Sequence, residues 1–351
     1  MHSRFGTGLA KHEIGQLVEV KRTIIMVRAR IIGTGSYTPR KILTNTDLAR
    51  IVDTSDEWIM TRTGIRERHV AGAGEATSTF AYQAALRALD MAGVAAGELD
   101  MIIVGTVTPD MLTPSVACLI QHKLKAHRAA AMDVSAGCTG FLYALSVADS
   151  LMRAGNYSKI LVIGAESLSR ITDYTDRSTC ILFGDGAGAV VLSREQGQHG
   201  ILSTLLYADG SCSDLLYMPG GGSAHPACAE SIAKRLHYLK MDGNKVFKTA
   251  VKALEDCVIQ ILEKNSLSSD QITLLISHQA NLRIIQAIAK RLELPQEKVF
   301  VNIQKYGNTS SASVPIALDE ANRQNRIKKN DLILMNAFGA GFTWGSALVR
   351  W

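Results

Sequence analysis

Short apolar segments alternate with segments of helical periodicity along most of the chain, from residue 26 onwards. In the first part of the chain, strands are predicted at 99–106, 129–136, 158–166 and 186–193. Apolar residues at helical spacing predict helices over 113–124, with Pro114 early in the helix, and after Cys138. Buried strands that alternate with helices indicate an α/β fold with layered sheets.

The same order of elements returns in the second part of the chain. Strands are predicted at 270–279, 298–303, 330–338 and 341–351, and helices at 281–292 and 308–322. The segment "HGILSTLLYADGS" also resembles the opening "RARIIGTGS". We interpret this as an internal duplication, with halves at 26–198 and 199–351 and an N-terminal extension at 1–25.

Three residues occupy related places in the two predicted halves. Cys138 begins a helix in the first half, Asn308 begins the equivalent helix in the second half, and His278 ends a strand. If the halves pack pseudo-symmetrically, all three side chains meet in one cleft. Strand ends and helix starts are where α/β folds usually place chemistry.

Composition and charge narrow the functional classes. The chain of 351 residues is 47% hydrophobic and 20% charged, so it can bury a large core. Its net charge of +6 is too small and scattered to indicate nucleic-acid binding, but it suits an acidic protein or an anionic ligand. No apolar segment has the length of a membrane span. The six cysteines form no CxxC pair, which favours a reduced, cytoplasmic protein without a metal site.

Cys138 lies between Gly137 and Thr139-Gly140, where a helix start would stabilise a thiolate. A cysteine, a histidine and an asparagine suit two chemistries. In a hydrolase, the histidine takes the thiol proton and the asparagine orients the histidine. In a decarboxylating condensation, the thiolate holds an acyl group, and the histidine and asparagine stabilise an enolate. The residues alone leave both open.

A third possibility rests on a glycine pair. Gly33 and Gly35 follow a predicted strand, and Asp53 lies 20 positions after Gly33, which hints at a dinucleotide-binding fold. The third glycine position holds Thr38, and Pro39 follows where a helix should continue. The motif is therefore weak evidence for a dehydrogenase.

From residue 26 to its end, the chain resembles the β-ketoacyl-acyl-carrier-protein synthase III family, within the thiolase-like superfamily. Six segments carry the resemblance: "DTSDEWIMTRTGIRERH" (53–69), "DVSAGCTGFLYALSVAD" (133–149), "FGDGAGA" (183–189), "SHQANLRII" (277–285), "YGNTSSASVP" (306–315) and "FGAGFTWGSALVR" (338–350). The resemblance implies two duplicated halves in α-β-α-β-α layers. It also implies a cytoplasmic homodimer that uses CoA thioesters and needs no cofactor.

The resemblance implies a two-stage reaction that starts type II fatty acid synthesis. Cys138 takes an acyl group from acyl-CoA, and malonyl-acyl carrier protein then loses carbon dioxide while His278 and Asn308 stabilise the enolate. The carbanion attacks the Cys138 thioester and gives β-ketoacyl-acyl carrier protein. The backbone N–H groups of Cys138 and Ala340 are implied to form the oxyanion hole.

Further residues are assigned by the same resemblance. Those implied to contact CoA are Trp58, Arg62, Arg177, Gly243, Asn244 and Phe247. Those implied to line the acyl pocket are Thr113 and Phe338. At the position of Thr113, members of the family often have an aromatic side chain that reaches the acyl pocket of the partner subunit. On the amphipathic helix 281–292 and near it, the residues implied to dock acyl carrier protein are Arg283, Lys290, Arg291 and Lys248.

The chain departs from the pattern of acetyl-primed members at three places. Thr113 is small, which suits a longer or branched primer. Ala340 replaces a glycine, which matters if that residue needs a positive φ. The segment 219–238 is longer than usual and has the composition of a surface loop or flap. These departures keep open a condensing enzyme or acyltransferase of secondary metabolism. A non-catalytic acyl-CoA binder is the remaining alternative.

Overall fold

The computed structural model of the chain describes residues 26–351. The predicted N-terminal extension at 1–25 lies outside the described residues. The strands are β1 (Val27–Tyr37), β2 (Lys41–Thr44), β3 (Glu67–Val70), β4 (Met101–Gly105), β5 (Ala130–Val134), β6 (Lys159–Ser167), β7 (Asp185–Gln196), β8 (Gly200–Ala208), β9 (Leu216–Tyr217), β10 (Lys240–Met241), β11 (Leu274–Ser277), β12 (Leu332–Gly339) and β13 (Thr343–Arg350).

The α-helices are α1 (Asn45–Leu48), α2 (Asp56–Thr63), α3 (Thr77–Ala92), α4 (Val116–Leu124), α5 (Gly140–Arg153), α6 (Arg177–Cys180), α7 (Ala229–Ala233), α8 (Gly243–Lys264), α9 (Leu282–Arg291), α10 (Ile303–Tyr306) and α11 (Ser313–Arg323). Among these helices, none is long and apolar enough to span a membrane.

Two larger sheets follow one another along the chain. The first has the strand order β1-β7-β6-β4-β5, and the second has the order β11-β12-β13-β8. In each sheet the last strand along the chain pairs antiparallel with the first, as β7 does with β1 and β13 with β8. In each sheet a parallel pair lies further in, namely β4 with β6 and β11 with β12.

One predicted strand, 298–303, is wrong. Only a single bridge forms there, between Val299 and Leu275. Beyond it, the side chain of Gln279 donates to the carbonyl of Phe300 and accepts the backbone N–H of Asn302. A side chain thus replaces the strand partner that a longer ladder would need. With Val299 counted, the second sheet repeats the order of the first, which supports the proposed duplication and a boundary near residue 198.

The two sheets and the helices form five layers. Helices α5 and α11 lie between the sheets, and their apolar residues share one core with both, as Leu145 and Leu318 do with Val162 and Met335. Helices α3 and α4 cover the outer face of the first sheet, and α8 and α9 cover the outer face of the second. The predicted α-β-α-β-α architecture is therefore confirmed.

Two helix starts differ from the sequence prediction. Pro114 precedes helix α4, which begins at Val116 with the Ser115 hydroxyl accepting the N–H of Cys118. Asn308 does not begin helix α11 either, because a 3₁₀ turn over Ser310–Ala312 separates them. At the start of α4, Asp133 and Ser115 accept the first N–H groups, whereas no side chain caps α11.

The glycine pair that hinted at a dinucleotide fold serves packing. Gly33 and Gly35 lie inside strand β1, opposite Val191 and Ala189 of β7. A Cβ on either would lie 2.4 Å from a backbone oxygen of helix α3. These glycines let α3 pack closely on the sheet and do not begin a phosphate-binding helix.

Candidate active site

Cys138 lies in a short 3₁₀ turn, Gly137–Thr139, that leads into helix α5. Gly137 has a φ of +54°, a conformation that suits glycine, and this turn brings the cysteine to the first residues of the helix. Cys138 is 9% exposed. The sequence prediction that Cys138 stands at a helix start therefore matches its position.

The environment of the thiol works against the expected thiolate. Burial, and to a lesser extent the nearby Glu166 carboxylate, raises the pKa of the Cys138 thiol to about 12, although a hydrogen bond to Ser310 acts in the opposite direction. In this site burial outweighs the favourable helix start. The thiol is therefore protonated at rest, and its proton must leave when the sulfur forms a bond.

His278 follows strand β11 and lies at the same end of the second sheet as Gly339. Its backbone N–H donates to the carbonyl of Asn336 at 2.8 Å, which fixes the residue after the strand. Neither ring nitrogen has a hydrogen-bond partner among the described residues, although the side chain is buried. Burial lowers the pKa of His278 to about 3. A neutral imidazole with two unpaired nitrogens is a strong sign of a ligand-binding role.

Asn308 is fixed by both its backbone and its side chain. Its N–H donates to the carbonyl of Leu182, and its own carbonyl accepts the N–H of Gly184. Its side-chain oxygen accepts the N–H of Ser310 at 2.9 Å. Since the partner is a backbone N–H, the atom that faces Ser310 must be the oxygen. The amide nitrogen is then the end that can donate to a ligand.

One cavity brings the three predicted catalytic residues together. Cys138, His278 and Asn308 all line it, as do Phe338 and Gly339. The described structure has no hydrogen bond between the His278 ring and the Asn308 side chain. In a Cys–His–Asn hydrolase the asparagine would orient the histidine. The arrangement therefore favours two separate donors that face a common ligand.

Two predicted CoA contacts line the same cavity, and a third does not. Gly243 and Phe247 form part of its wall. Asn244 is exposed and does not line the cavity, so its contact with CoA stays a prediction. Helix α8 explains the difference, because residues four apart share one helix face while a neighbouring residue is turned away by about 100°.

The loop after strand β12 packs directly against Cys138. A Cβ on Gly339 would lie 2.4 Å from the backbone nitrogen of Cys138, and one on Gly137 would lie 2.8 Å from the nitrogen of Ala340. The residue of this loop with a positive φ is Gly341, not Ala340. The alanine therefore fits the backbone here, and its N–H lies close to the Cys138 turn.

A second cavity, of about 430 Å³, also reaches Cys138. Most of its wall is apolar, and the residues that contribute apolar side chains are Val107, Leu168, Ile171, Phe183, Leu216, Met218 and Leu239. Ala340 also lines it, whereas Phe338 belongs to the first cavity. Thr113 is exposed and lines neither cavity at Cys138. The sequence assignment places residue 113 of one subunit in the acyl pocket of the other subunit. The role of Thr113 in the acyl pocket therefore stays a prediction.

Glu166 is a buried acid beside the site that the sequence analysis did not single out. It has no solvent exposure, and burial raises its pKa to about 7. Its carboxylate accepts hydrogen bonds from the loop after β4 and from the loop of Asn308; the donors are Thr106, Val107, Thr108, Ser310 and Ser311. The sequence signal that could have indicated Glu166 is an acidic residue at the end of an apolar strand.

Three predicted nucleotide contacts cluster at the surface. The guanidinium carbon of Arg177 lies 4.1 Å from the centre of the Trp58 ring, and that of Arg62 lies 4.7 Å from it. The backbone carbonyl of Arg62 accepts a hydrogen bond from Asn281, which lines the first cavity. The aromatic ring and the two cations therefore adjoin the mouth of that cavity.

The predicted basic face is present on helix α9. Ile285, Ile288 and Ala289 are buried, while Arg283, Lys290 and Arg291 are exposed. The Arg283 guanidinium lies 5.0 Å from the centre of the Phe247 ring. Lys248, one residue further along helix α8, is also exposed. Of these cations, Arg283 is the one in contact with a residue of the first cavity, Phe247. No cluster of potential metal ligands occurs within residues 26–351.

Comparisons with known proteins identify the family to which the chain is similar. The family model described as 3-oxoacyl-[acyl-carrier-protein (ACP)] synthase III matches residues 132–210, and the model of its C-terminal part matches residues 262–351. A β-ketoacyl-[acyl-carrier-protein] synthase III of Caldanaerobacter subterraneus subsp. tengcongensis is 54% identical, covering 93% of this chain and 98% of its own length.

Two further relatives match a similar share of the chain. The β-ketoacyl-[acyl-carrier-protein] synthase III of Xanthomonas euvesicatoria pv. vesicatoria is 55% identical over 93% of this chain and 99% of its own. The crystal structure of 3-oxoacyl-[acyl-carrier-protein] synthase III from Aquifex aeolicus matches with a TM-score of 0.86 at 50% identity. It covers 92% of this chain and 100% of that one.

Proposed function

The chain belongs to the 3-oxoacyl-[acyl-carrier-protein] synthase III family, and from that premise we propose that it condenses an acyl-CoA primer with malonyl-acyl carrier protein. The products are β-ketoacyl-acyl carrier protein, CoA and carbon dioxide. This condensation is the step that initiates fatty acid synthesis. The observation that carries this proposal is the shared cavity of Cys138, His278 and Asn308. It favours two donors around a reacting carbonyl, as a condensation requires.

In the first stage, Cys138 exchanges its proton for the acyl group. The sulfur attacks the thioester carbonyl of acyl-CoA, the bond to the CoA sulfur breaks, and the thiol proton ends on CoA. Because burial disfavours a charged His278 imidazole, the thiol proton would pass to the CoA sulfur as the thioester breaks, without a resting imidazolium. The N–H groups of Cys138 and Ala340 would stabilise the tetrahedral oxyanion, which the close packing of Gly339 and Ala340 on the Cys138 turn supports.

In the second stage, malonyl-acyl carrier protein binds in the first cavity and loses carbon dioxide. The imidazole N–H of His278 and the amide N–H of Asn308 donate to the thioester oxygen where enolate charge develops. The enolate carbon then attacks the acyl-Cys138 thioester and releases the sulfur as a thiolate, which takes a proton from water. The buried surroundings strengthen both hydrogen bonds as the charge forms.

Substrates enter, in this proposal, past the surface cluster of Trp58, Arg62 and Arg177. The aromatic ring offers a stacking surface for adenine, and the guanidinium groups suit phosphates. Gly243 and Phe247 would line the path of the pantetheine arm. The exposed cations of helix α9, together with Lys248, would dock the acidic acyl carrier protein.

The second cavity is the better place for the acyl chain of the primer. It is mostly apolar and reaches Cys138, and neither His278 nor Asn308 lines it. We also propose a homodimer, in which residue 113 of the partner subunit would approach this cavity. The six unpaired cysteines support a reducing cytoplasm. No cofactor enters the proposed reaction.

Turnover with both substrates tests the proposal. Purified protein is mixed with acyl-CoA and malonyl-acyl carrier protein, and release of carbon dioxide and the mass of the carrier protein product are followed. We expect β-ketoacyl-acyl carrier protein from the wild type and none from Cys138→Ala. Carbon dioxide without a condensed product, or hydrolysis of the acyl-CoA alone, would contradict the proposal.

A further inference from the structure

The segment 219–238 lies between two residues that line the second cavity, although none of its own residues does. It connects strands β9 and β10, which pair with each other through Tyr217 and Lys240. Met218, just before the segment, and Leu239, just after it, both line the cavity. The segment therefore joins two residues of the cavity wall through the chain.

Within the described structure, all side-chain hydrogen bonds that leave this segment come from Arg235. Its guanidinium forms a two-pronged ion pair with Asp173, with Nε 3.0 Å from one carboxylate oxygen and a terminal nitrogen on the other. It also donates to the Thr175 hydroxyl at 3.1 Å and lies 5.0 Å from the centre of the Tyr238 ring. A planar guanidinium held in this way defines direction as well as distance.

The acceptor of this ion pair is rigid. Asp173 is 3% exposed, and its carboxylate also accepts the N–H and hydroxyl of Thr175. These contacts with Arg235 and Thr175 hold the pKa of Asp173 well below its usual range. The carboxylate is therefore ionised at every pH at which the protein works, and the ion pair persists.

Arg235 itself adopts an unusual backbone conformation. Its φ is +56°, in the left-handed region that residues with a side chain rarely occupy. The turn that ends helix α7 accounts for this conformation, because the N–H of Arg235 donates to the carbonyl of Ile232 and the N–H of Leu236 donates to that of Ser231. The ion pair with Asp173 then attaches the end of this helix to the loop after strand β6.

The ion pair joins two walls of the second cavity. Asp173 follows Ile171 by two residues, and Ile171 lines the cavity. The carbonyl of Ile171 accepts the N–H of Leu239 at 2.9 Å, so the opposite wall is attached at the same place. Movement of Arg235 away from Asp173 would release the segment beside Leu239 and Met218.

We propose that Arg235, by holding Asp173, fixes the wall of the second cavity and thereby limits the length of the acyl chain that Cys138 accepts. This inference rests on the proposed function, in which that cavity holds the acyl group of the primer. Arg235 is a positioning residue, because it acts through Leu239 and Met218 and does not touch the thiol.

Acylation of Cys138 by a series of acyl-CoAs tests this role. The rate with acetyl-, hexanoyl-, dodecanoyl- and hexadecanoyl-CoA is measured by intact mass for the wild type, Arg235→Ala and Arg235→Lys. We expect Arg235→Ala to raise the ratio of dodecanoyl to acetyl transfer by about tenfold. Arg235→Lys should give a smaller change, because an ammonium cannot form the two-pronged pair.

Two further variants separate this role from a general loss of structure. Asp173→Asn should change the chain-length ratio as Arg235→Ala does, and the double variant should add little. Lys234→Ala, which removes an ion pair with Glu230 inside the segment, should leave the ratio unchanged.

Thermal unfolding of each variant establishes that the ratio is measured on folded protein, and Arg235→Lys serves if the alanine variant does not fold. An unchanged ratio in folded Arg235 and Asp173 variants that still accept acetyl groups would overturn the inference. So would an equal loss with every acyl-CoA. Failure of the wild type to be acylated would instead overturn the proposed function.

Discussion

The side-chain oxygen of Asn308 accepts the backbone N–H of Ser310 at 2.9 Å, which leaves the amide nitrogen of Asn308 as the end that meets a ligand. His278 lines the same cavity, and neither ring nitrogen has a hydrogen-bond partner among residues 26–351. In the proposed reaction the two residues form a pair of donors without a bond to each other. This geometry favours a condensing site over a Cys–His–Asn triad, in which the asparagine would orient the histidine.

The first prediction concerns Asn308→Asp. The aspartate keeps an acceptor for Ser310 but replaces the donating amide nitrogen by an oxygen. We expect transfer of the acyl group to Cys138 to continue, while condensation with malonyl-acyl carrier protein falls by about 100- to 1000-fold. Intact mass follows the first stage and carbon dioxide release the second. Equal loss of both stages would show that Asn308 does not act on the enolate.

The second prediction concerns the pH dependence of Cys138. Since burial raises the pKa of the thiol to about 12, its alkylation by iodoacetamide should be slow at pH 7 and should rise steadily to pH 10. Peptide mapping separates Cys138 from the exposed Cys118 and Cys228. A rate that reaches its plateau below pH 8 would mean that the helix start, and not burial, controls the thiol.

The third prediction concerns the loop at Gly339. An added Cβ would lie 2.4 Å from the backbone nitrogen of Cys138, and so one of the two segments must move. Gly339→Ala should cost about 1–3 kcal/mol in the free energy of unfolding and lower the acylation rate by more than tenfold. Ala340→Gly is the matched control, because residue 340 has no positive φ. Equal effects of the two changes would contradict the close packing.

The fourth prediction concerns Glu166, whose pKa burial raises from 4.5 to about 7. Between these values the folded protein holds a proton that the unfolded chain releases, so this carboxyl makes the protein less stable as pH rises. The change amounts to about 3 kcal/mol across the window. Glu166→Gln cannot titrate, and the stability advantage of the wild type should therefore be larger at pH 5 than at pH 8.

Denaturant unfolding of both proteins at the two pH values measures this difference. His278 titrates in the opposite sense, because its pKa is lowered, but it is common to both proteins and cancels from the comparison. A stability difference that stays constant or grows with pH would show that Glu166 is ionised in the folded state throughout.

The fifth prediction concerns the basic face of helix α9. Lys290→Glu should raise the KM for malonyl-acyl carrier protein by about three- to tenfold, with a smaller effect at high salt, and should leave acylation by acyl-CoA unchanged. Lys329→Glu makes the same charge change near the start of strand β12, at the end away from Gly339. If both changes raise the KM equally, net charge and not this face attracts the carrier protein.

Much of the fold follows from local pattern. Long apolar runs such as 158–166 predicted their strands, because a strand buried on both faces needs apolar residues throughout. The segment 298–303 has the same pattern but forms no strand, since Gln279 supplies the hydrogen bonds there. A side chain that replaces a strand partner leaves no periodic signal in the sequence.

The site was predicted in part for a similar reason. Cys138, His278 and Asn308 follow elements that occur in the same order in the two halves. The sequence therefore predicted that the three residues lie in one cleft. Glu166 and Arg235 depend on contacts between distant segments, to Ser310 and to Asp173. The pKa of Cys138 depends on burial, which a local helix start does not reveal.

The most direct test of the account is the covalent state of Cys138 after mixing the protein with acyl-CoA alone. Intact mass should show one acyl group per chain, peptide mapping should place it on Cys138, and Cys138→Ala should show no gain. An acyl group on another cysteine, or no gain with acyl-CoAs of any length, would contradict the central claim that Cys138 is the nucleophile of a condensing enzyme.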